Sequence, residues 1–293
     1  MIQDVKNDIL SNWRNGEAYV KLIILNVAVF IILLLVGLVY QTITKESFDS
    51  MVTYYLGLPS DPQVLLFHPW SLLTHMFVHS DLLHIFSNML LLSFAGRRLF
   101  FLTSNAIFYR IYFLSGIAGG VGYVVLGNLF LQLGLTDAHG FGIGSSACVM
   151  GCLVCMTILN PHEIIHLFLL GPIKIMYITT FLVLLDLLYL YAGNTGGHLA
   201  HLAGTGLGWW YGLQMKKGSY PGTWVNSIFS FFTFTSKPKM KVSHRRPMTD
   251  EEYNERKISS QKEIDAILDK ISRSGYDSLS TKEKDILHKA SHK

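Results

Sequence analysis

Apolar residues dominate the chain from about position 20 to 215 and then give way to charged ones. Six runs stand out: Leu22 to Tyr40, Leu82 to Phe101, Ala106 to Leu131, Ser145 to Asn160, Ile173 to Ala192 and Gly196 to Met215. Most approach the ~20 residues that a helix needs to cross a bilayer, so the pattern predicts an all-α membrane protein of six spanning helices. The stretch from 41 to 81 is too long and too apolar for a plain connector. It carries Tyr54, Tyr55, Leu65, Leu66, Phe67 and Trp70, and is expected to lie partly in the membrane interface. After the last run, Tyr220, Trp224, Phe229, Phe231, Phe232 and Phe234 precede Lys237, Lys239, Lys241, Arg245 and Arg246. That order fits an interfacial anchor with a basic tail meeting anionic lipid.

From Thr249 the pattern changes to that of a water-exposed helical hairpin. Thr249 with Glu252, and Ser280 with Glu283, read as capping boxes, Gly275 as the stop between two helices, and Ile264, Ile267, Leu268 and Ile271 as one apolar stripe. The expected organisation is therefore an N-terminal segment 1–20, a six-span core 21–215, an aromatic and basic linker 216–248, and a hairpin 249–293. The hairpin has little core of its own, which leaves it free to meet a protein partner.

Composition agrees, since half of the 293 residues are hydrophobic and 15% are charged, too apolar for an ordinary soluble domain. The first run has no small-residue cleavage site behind it and reads as an anchor. Lys6, Arg14, Lys21, Arg97, Arg98, Arg110, Lys174, Lys216 and Lys217 fall on one side of the predicted topology, against Lys45 on the other. The positive-inside bias therefore puts both termini in the cytoplasm. Cys148, Cys152 and Cys155 share one apolar run without the pattern of a zinc site, so close packing is the expected use. Neither a cofactor nor a nucleic-acid partner is expected.

Polar side chains inside a span are expensive and mark functional positions. His84 and Asn88, four apart, stack on one helix face, where two donors aimed at one point would suit a developing oxyanion. The plainer reading is a polar pair satisfying each other between helices. In GFGIGSSACVMG, Gly140 to Gly151, Gly144 permits a turn that sets Ser146 at a helix N-terminus, where negative charge is favoured. A serine there can equally be a simple cap. From Ser145 to Asn160 the rise is only ~22 Å, less than the ~30 Å hydrocarbon core, so the start of that helix is expected to be submerged. In GGHLAHLAGTGLGWWYG, Gly196 to Gly212, small residues at 200, 204, 208 and 212 form a flat face matching Ala147, Gly151 and Cys155. Two such helices approach closely enough for a histidine on one to take the proton of a serine on the other. Asp186 reads as lying too deep to join them, so a Ser/His dyad is expected instead of a triad.

In order and spacing these three runs resemble the rhomboid intramembrane proteases over about residues 20 to 215. The resemblance implies a six-helix bundle with a large membrane-associated first outer loop, in an integral membrane protein of the bacterial inner membrane. It implies Ser146 as nucleophile, His201 as base, and His84 and Asn88 as oxyanion donors. It also implies single-span membrane proteins as substrates. His198 is the weaker base, because the small-residue run belongs after His201, and His75 and His79 read as structural. Three positions depart from the family pattern: Ala147 replaces a usual glycine, Met150 an aromatic that commonly stacks on the base, and Phe100 and Phe101 stand where an acidic residue is usual. Two other readings remain, an inactive rhomboid-like membrane adaptor and a zinc protease built on His162-Glu163-x-x-His166, with Pro161 starting its helix.

Overall fold

The computed structural model describes residues 7, 10, 11, 13, 16–136, 140–167, 171–191, 193–229 and 250–291. These fall into two compact units, Met1–Ser236 and Lys237–Lys293.

In the first unit the long apolar runs become helices. Helix α1 (Ala18–Thr44) ends where Lys45 turns left-handed at φ 62° and donates its N–H to Gln41. The 41–81 segment is itself folded, into α2 (Phe48–Leu56), β1 (Leu58–Pro59), α3 (Pro62–Phe67), α4 (Ser71–Thr74) and a 3-10 turn (His75–Phe77). Its aromatic residues bind one another: the Trp70 indole N–H donates to the Tyr55 carbonyl at 2.8 Å, and the His68 ring sits 5.1 Å from both Tyr54 and Trp70. Helix α5 (Leu82–Leu102) is capped by Asp81, which accepts from the His84 N–H, and α6 (Asn105–Gln132) by Ser104, which accepts from Ile107. Among the described residues α1, α5 and α6 are long and apolar enough to cross a membrane. Their exposed large side chains, such as Ile32, Leu35, Leu90 and Val125, are what a lipid-facing surface requires.

Three further helices complete the bundle: α7 (Ser146–Leu159), reached through β2 (Phe141–Gly142), then α8 (Ile175–Leu188) and α9 (Thr195–Lys216). β2 pairs antiparallel with β1, tying the segment before α7 to the folded loop. Helix α7 is the centre of the core, with every residue from Ala147 to Thr157 buried. Small residues explain how its neighbours come so close. A methyl group added at Gly204 of α9 would lie 2.5 Å from the Ala147 carbonyl oxygen, one at Gly208 would overlap the Gly151 carbonyl, and one at Gly212 would lie 2.9 Å from Ile158. On the other side, Gly119 and Gly122 of α6 leave room for Ala147 and Ala203. The small-residue face is present as expected and extends to a third helix. Cys148, Cys152 and Cys155 are buried free thiols; the Cys148 sulfur fills space beside Gly116, and Cys155 lies 3.9 Å from the Met215 sulfur.

A helix was expected to start at Pro161, and a hairpin forms instead. Residues 161–162 turn, and β3 (Ile164–Leu167) pairs antiparallel with β4 (Gly171–Lys174). Glu163 is held by the Asn160 amide at 2.8 Å and by Arg98 at 3.5 Å. After α9 comes α10 (Thr223–Phe229), and the remaining aromatic and basic stretch to Arg246 lies outside the described residues.

The second unit comprises α11 (Asp250–Ser274), a 3-10 turn and α12 (Thr281–Ser291). Gly275 stops α11 at φ 78° with its N–H on Ile271. The Ser280–Glu283 capping box forms: Glu283 accepts from the Ser280 N–H at 2.7 Å, and the Glu283 N–H donates back to Ser280 Oγ at 3.4 Å. The Lys270 ammonium donates to the same carboxylate at 2.9 Å, and these bonds hold the Glu283 carboxyl down at about 2. The matching box at Thr249 falls outside the described residues. Ile267 and Leu279 are buried within this unit.

Candidate active site

The site begins in the folded loop. His75 donates through Nδ1 to the Ser71 carbonyl at 2.7 Å, and its own carbonyl accepts the Gly144 N–H at 2.9 Å. Four residues on, His79 Nε2 lies 3.2 Å from Ser145 Oγ. The two histidines therefore clamp the dipeptide that precedes Ser146, in keeping with the structural role expected for them. Burial pushes both imidazoles down to about 4, His79 with help from the neighbouring His84, so both stay neutral near pH 7.

Between those clamps Gly144 adopts φ +118°. A side chain there would be strained, and its Cβ would lie 2.7 Å from His84 Nε2. Glycine thus serves two purposes: it turns the chain into α7 and lets the His84 ring close over the turn. Ser146 is the first residue of α7, where the helix leaves its leading N–H groups without partners in the helix. His84 is steered by Ser80, whose Oγ lies 3.0 Å from Nδ1. The buried Asn88 donates to the His84 carbonyl at 3.0 Å. An amide has two N–H groups, so this bond commits one of them.

Helix α9 brings His201 Nε2 to 2.6 Å from Ser146 Oγ. On the other edge of the ring, His201 Nδ1 lies 2.8 Å from Asp186 Oδ1, and the same oxygen lies 2.9 Å from His198 Nδ1. Asp186 is buried, and the His198 ring stacks on Tyr189 with centroids 5.9 Å apart. The expectation that Asp186 sits too deep is corrected here. Helix α8 ends at Leu188 and passes into a 3-10 turn, Tyr189–Tyr191, so Asp186 lies two residues from the helix end, level with the serine and histidine. The spacing of His198 and His201, three apart on one helix, held a signal for this cluster, because both rings project from the same face.

A cavity of about 630 Å³ opens onto these groups, lined among others by Ser146, His201, Asp186, His84 and Asn88. That volume is in the range of small-ligand sites and ample for water. Four of the residues picked from the sequence, Ser146, His201, His84 and Asn88, thus share one chamber, and Met150 joins its wall. His162 and His166 do not join it. An HExxH zinc site needs both histidines on one turn of a helix, whereas here the first lies in a turn and the second in β3. That removes the geometry on which the zinc-protease reading depended.

Long apolar helices around a Ser–His pair at an internal cavity define a polytopic integral membrane protein with its polar groups turned inward. The comparisons narrow the class. Residues 67–217 match the family described as Rhomboid domain, and the chain belongs to the rhomboid family. It is similar to RHOMBOID-like protein 12, mitochondrial, of Arabidopsis thaliana, with 25% identity over 160 residues that make up 51% of this chain. The match spans 47% of that protein's length, so the chain corresponds to about half of it. Residues 248–293 match a separate family of unknown function, DUF6576.

Proposed function

We propose that the protein is an intramembrane serine endopeptidase that hydrolyses peptide bonds in or near the transmembrane helices of single-span membrane proteins. The observation that carries the reading is the 2.6 Å contact between Ser146 Oγ and His201 Nε2 beside a cavity inside the bundle. In this reading six helices cross the bilayer, α7, α8 and α9 joining α1, α5 and α6, and both termini face the cytoplasm. The orientation rests on the placement of Lys and Arg, and the bacterial inner membrane on the resemblance to six-span members.

The chemistry follows from the geometry. With Nδ1 of His201 protonated, its Nε2 lone pair faces the serine hydroxyl and takes the proton as Oγ attacks the scissile carbonyl. The oxyanion then meets the N-terminal N–H groups of α7, with His84 Nε2 and the second N–H of Asn88 beside it. His201 returns the proton to the leaving amine, the product with the new N-terminus departs, and water repeats the cycle on the acyl-enzyme. Ala147 replaces the glycine usual in the family without closing the space, since its methyl points at Gly119 of α6.

Cleavage of a single-span substrate by the purified protein in lipid vesicles tests the reading. Ser146→Ala and His201→Ala are each expected to lower turnover by at least ~10³-fold, the scale seen when a triad member is removed. Glu163→Gln and chelators are expected to leave it unchanged. Cleavage that survives Ser146→Ala overturns the proposal, and loss of cleavage on chelation would return the case to a metalloprotease.

A further inference from the structure

The sharing of one carboxylate oxygen by two imidazoles is more than a bystander contact. We infer that Asp186 is a positioning residue that turns the Ser146/His201 pair into a triad, with His198 as the brace that holds the carboxylate in place. The inference rests on the serine-protease reading given above and adds to it.

First, an imidazole that is to accept a proton at Nε2 must carry its own proton at Nδ1, and something must fix that tautomer. Asp186 Oδ1, 2.8 Å from Nδ1, only accepts, so the ring nitrogen that faces it must carry the proton. The ring is thereby locked with its lone pair toward Ser146, 2.6 Å away on the opposite edge. Second, the carboxylate needs an orientation of its own, because a side chain free to rotate cannot lock a ring. His198 Nδ1 supplies the second donor to the same oxygen at 2.9 Å, while its ring is fixed by stacking on Tyr189. Third, when His201 takes the serine proton it becomes a cation inside the bundle, and a carboxylate in contact with its far nitrogen opposes that new charge. No proton need pass to Asp186; its part is to hold and to balance.

The arrangement also makes α8 part of the machinery. Of the fourteen residues of α8, Ile175, Thr179 and Asp186 are buried, and Asp186 is the one that reaches the cavity from that face as a charged group. A helix with six of its fourteen residues exposed thus meets the base through a single side chain.

Steady-state cleavage in lipid vesicles, with folded protein counted by a thermal melt, tests the role. Asp186→Asn keeps the shape and an oxygen acceptor but removes the charge; Asp186→Ala removes both. Asn is expected to lower kcat at least ~10-fold and Ala at least ~100-fold, with KM within about threefold and unchanged melting for Asn, by analogy with supporting groups elsewhere. Wild-type kcat in Asp186→Asn would overturn the triad, as would an activity loss that comes from a raised KM alone or is matched by an equal loss of folded protein. Ser146→Ala, run in parallel, separates the two levels. If it stays active the protease reading fails, whereas an inactive Ser146→Ala beside a fully active Asp186→Asn sinks the triad alone.

Discussion

Helices α7 and α8 are both fourteen residues long and both strongly apolar, yet they live in different surroundings. All but the ends of α7 are buried, while α8 leaves Tyr177 and Phe181 each 60% exposed. The difference lies in side-chain size. Helix α7 offers Ala147, Gly151 and Cys155, over which the backbone of α9 can slide to contact; α8 offers Phe, Tyr and Leu, which hold neighbours away and suit lipid. Ser146 sits on the helix that packs into the centre of the core. Asp186, which meets His201 Nδ1, sits on the helix with more of its side chains exposed.

The largest effect should come from filling the contact of α7 with α9. Gly208→Leu forces a side chain into the Gly151 carbonyl, and the expected result is loss of folded, active protein, read by thermal melting in detergent. Next, Leu153→Ala empties a fully buried site on α7 and should cost about 2–5 kcal/mol of stability. Leu184→Ala, half exposed on α8, should stay within about 0.5 kcal/mol. If the two leucine variants melted alike, the contrast between the helices would be false.

Acid provides a further probe of the clamp that precedes α7. His75 and His79 hold pKa values of about 4 in the folded protein against an ordinary 6.5, so the unfolded chain binds more protons than the native one between those limits. Stability is therefore full above about pH 6.5 and falls as the pH drops toward 4, by up to about 3 kcal/mol for each group. Melting temperatures from pH 7 to pH 4 check this, and His79→Gln should flatten the lower part of the curve. The smallest effect is expected in the C-terminal hairpin. The Glu283 carboxyl is lowered by Lys270 and the Ser280 cap, so its support is present above the usual carboxylate range and fades as pH falls through about 2. Glu283→Gln should loosen α12, seen as faster amide exchange there, with cleavage unchanged.

Much of the site could be read from the chain because its parts obey local rules. Gly144 before Ser146 and the His84–Asn88 stack follow from turn and helix geometry and line one cavity, while the four-residue repeat that starts at Ala200 packs Gly204, Gly208 and Gly212 against α7. What escaped depended on where elements end. The sequence alone sets Asp186 too deep, because a continuous apolar run hides the change from α-helix to 3-10 turn after Leu188. The HEIIH run reads as a helix because Asn-Pro is a common helix start, whereas Asn160 and Arg98 bind Glu163 beside a turn that leads into β3. The second role of Ala200, whose carbonyl backs onto Gly119, needed knowledge that α6 packs there as well.

A fluorophosphonate probe applied to the protein in its native membranes asks most directly whether Ser146 is an activated nucleophile. Covalent label is expected on Ser146 in the wild type and absent in His201→Ala. Label that persisted undiminished in His201→Ala, or that settled on another residue while Ser146 stayed free, would contradict the account.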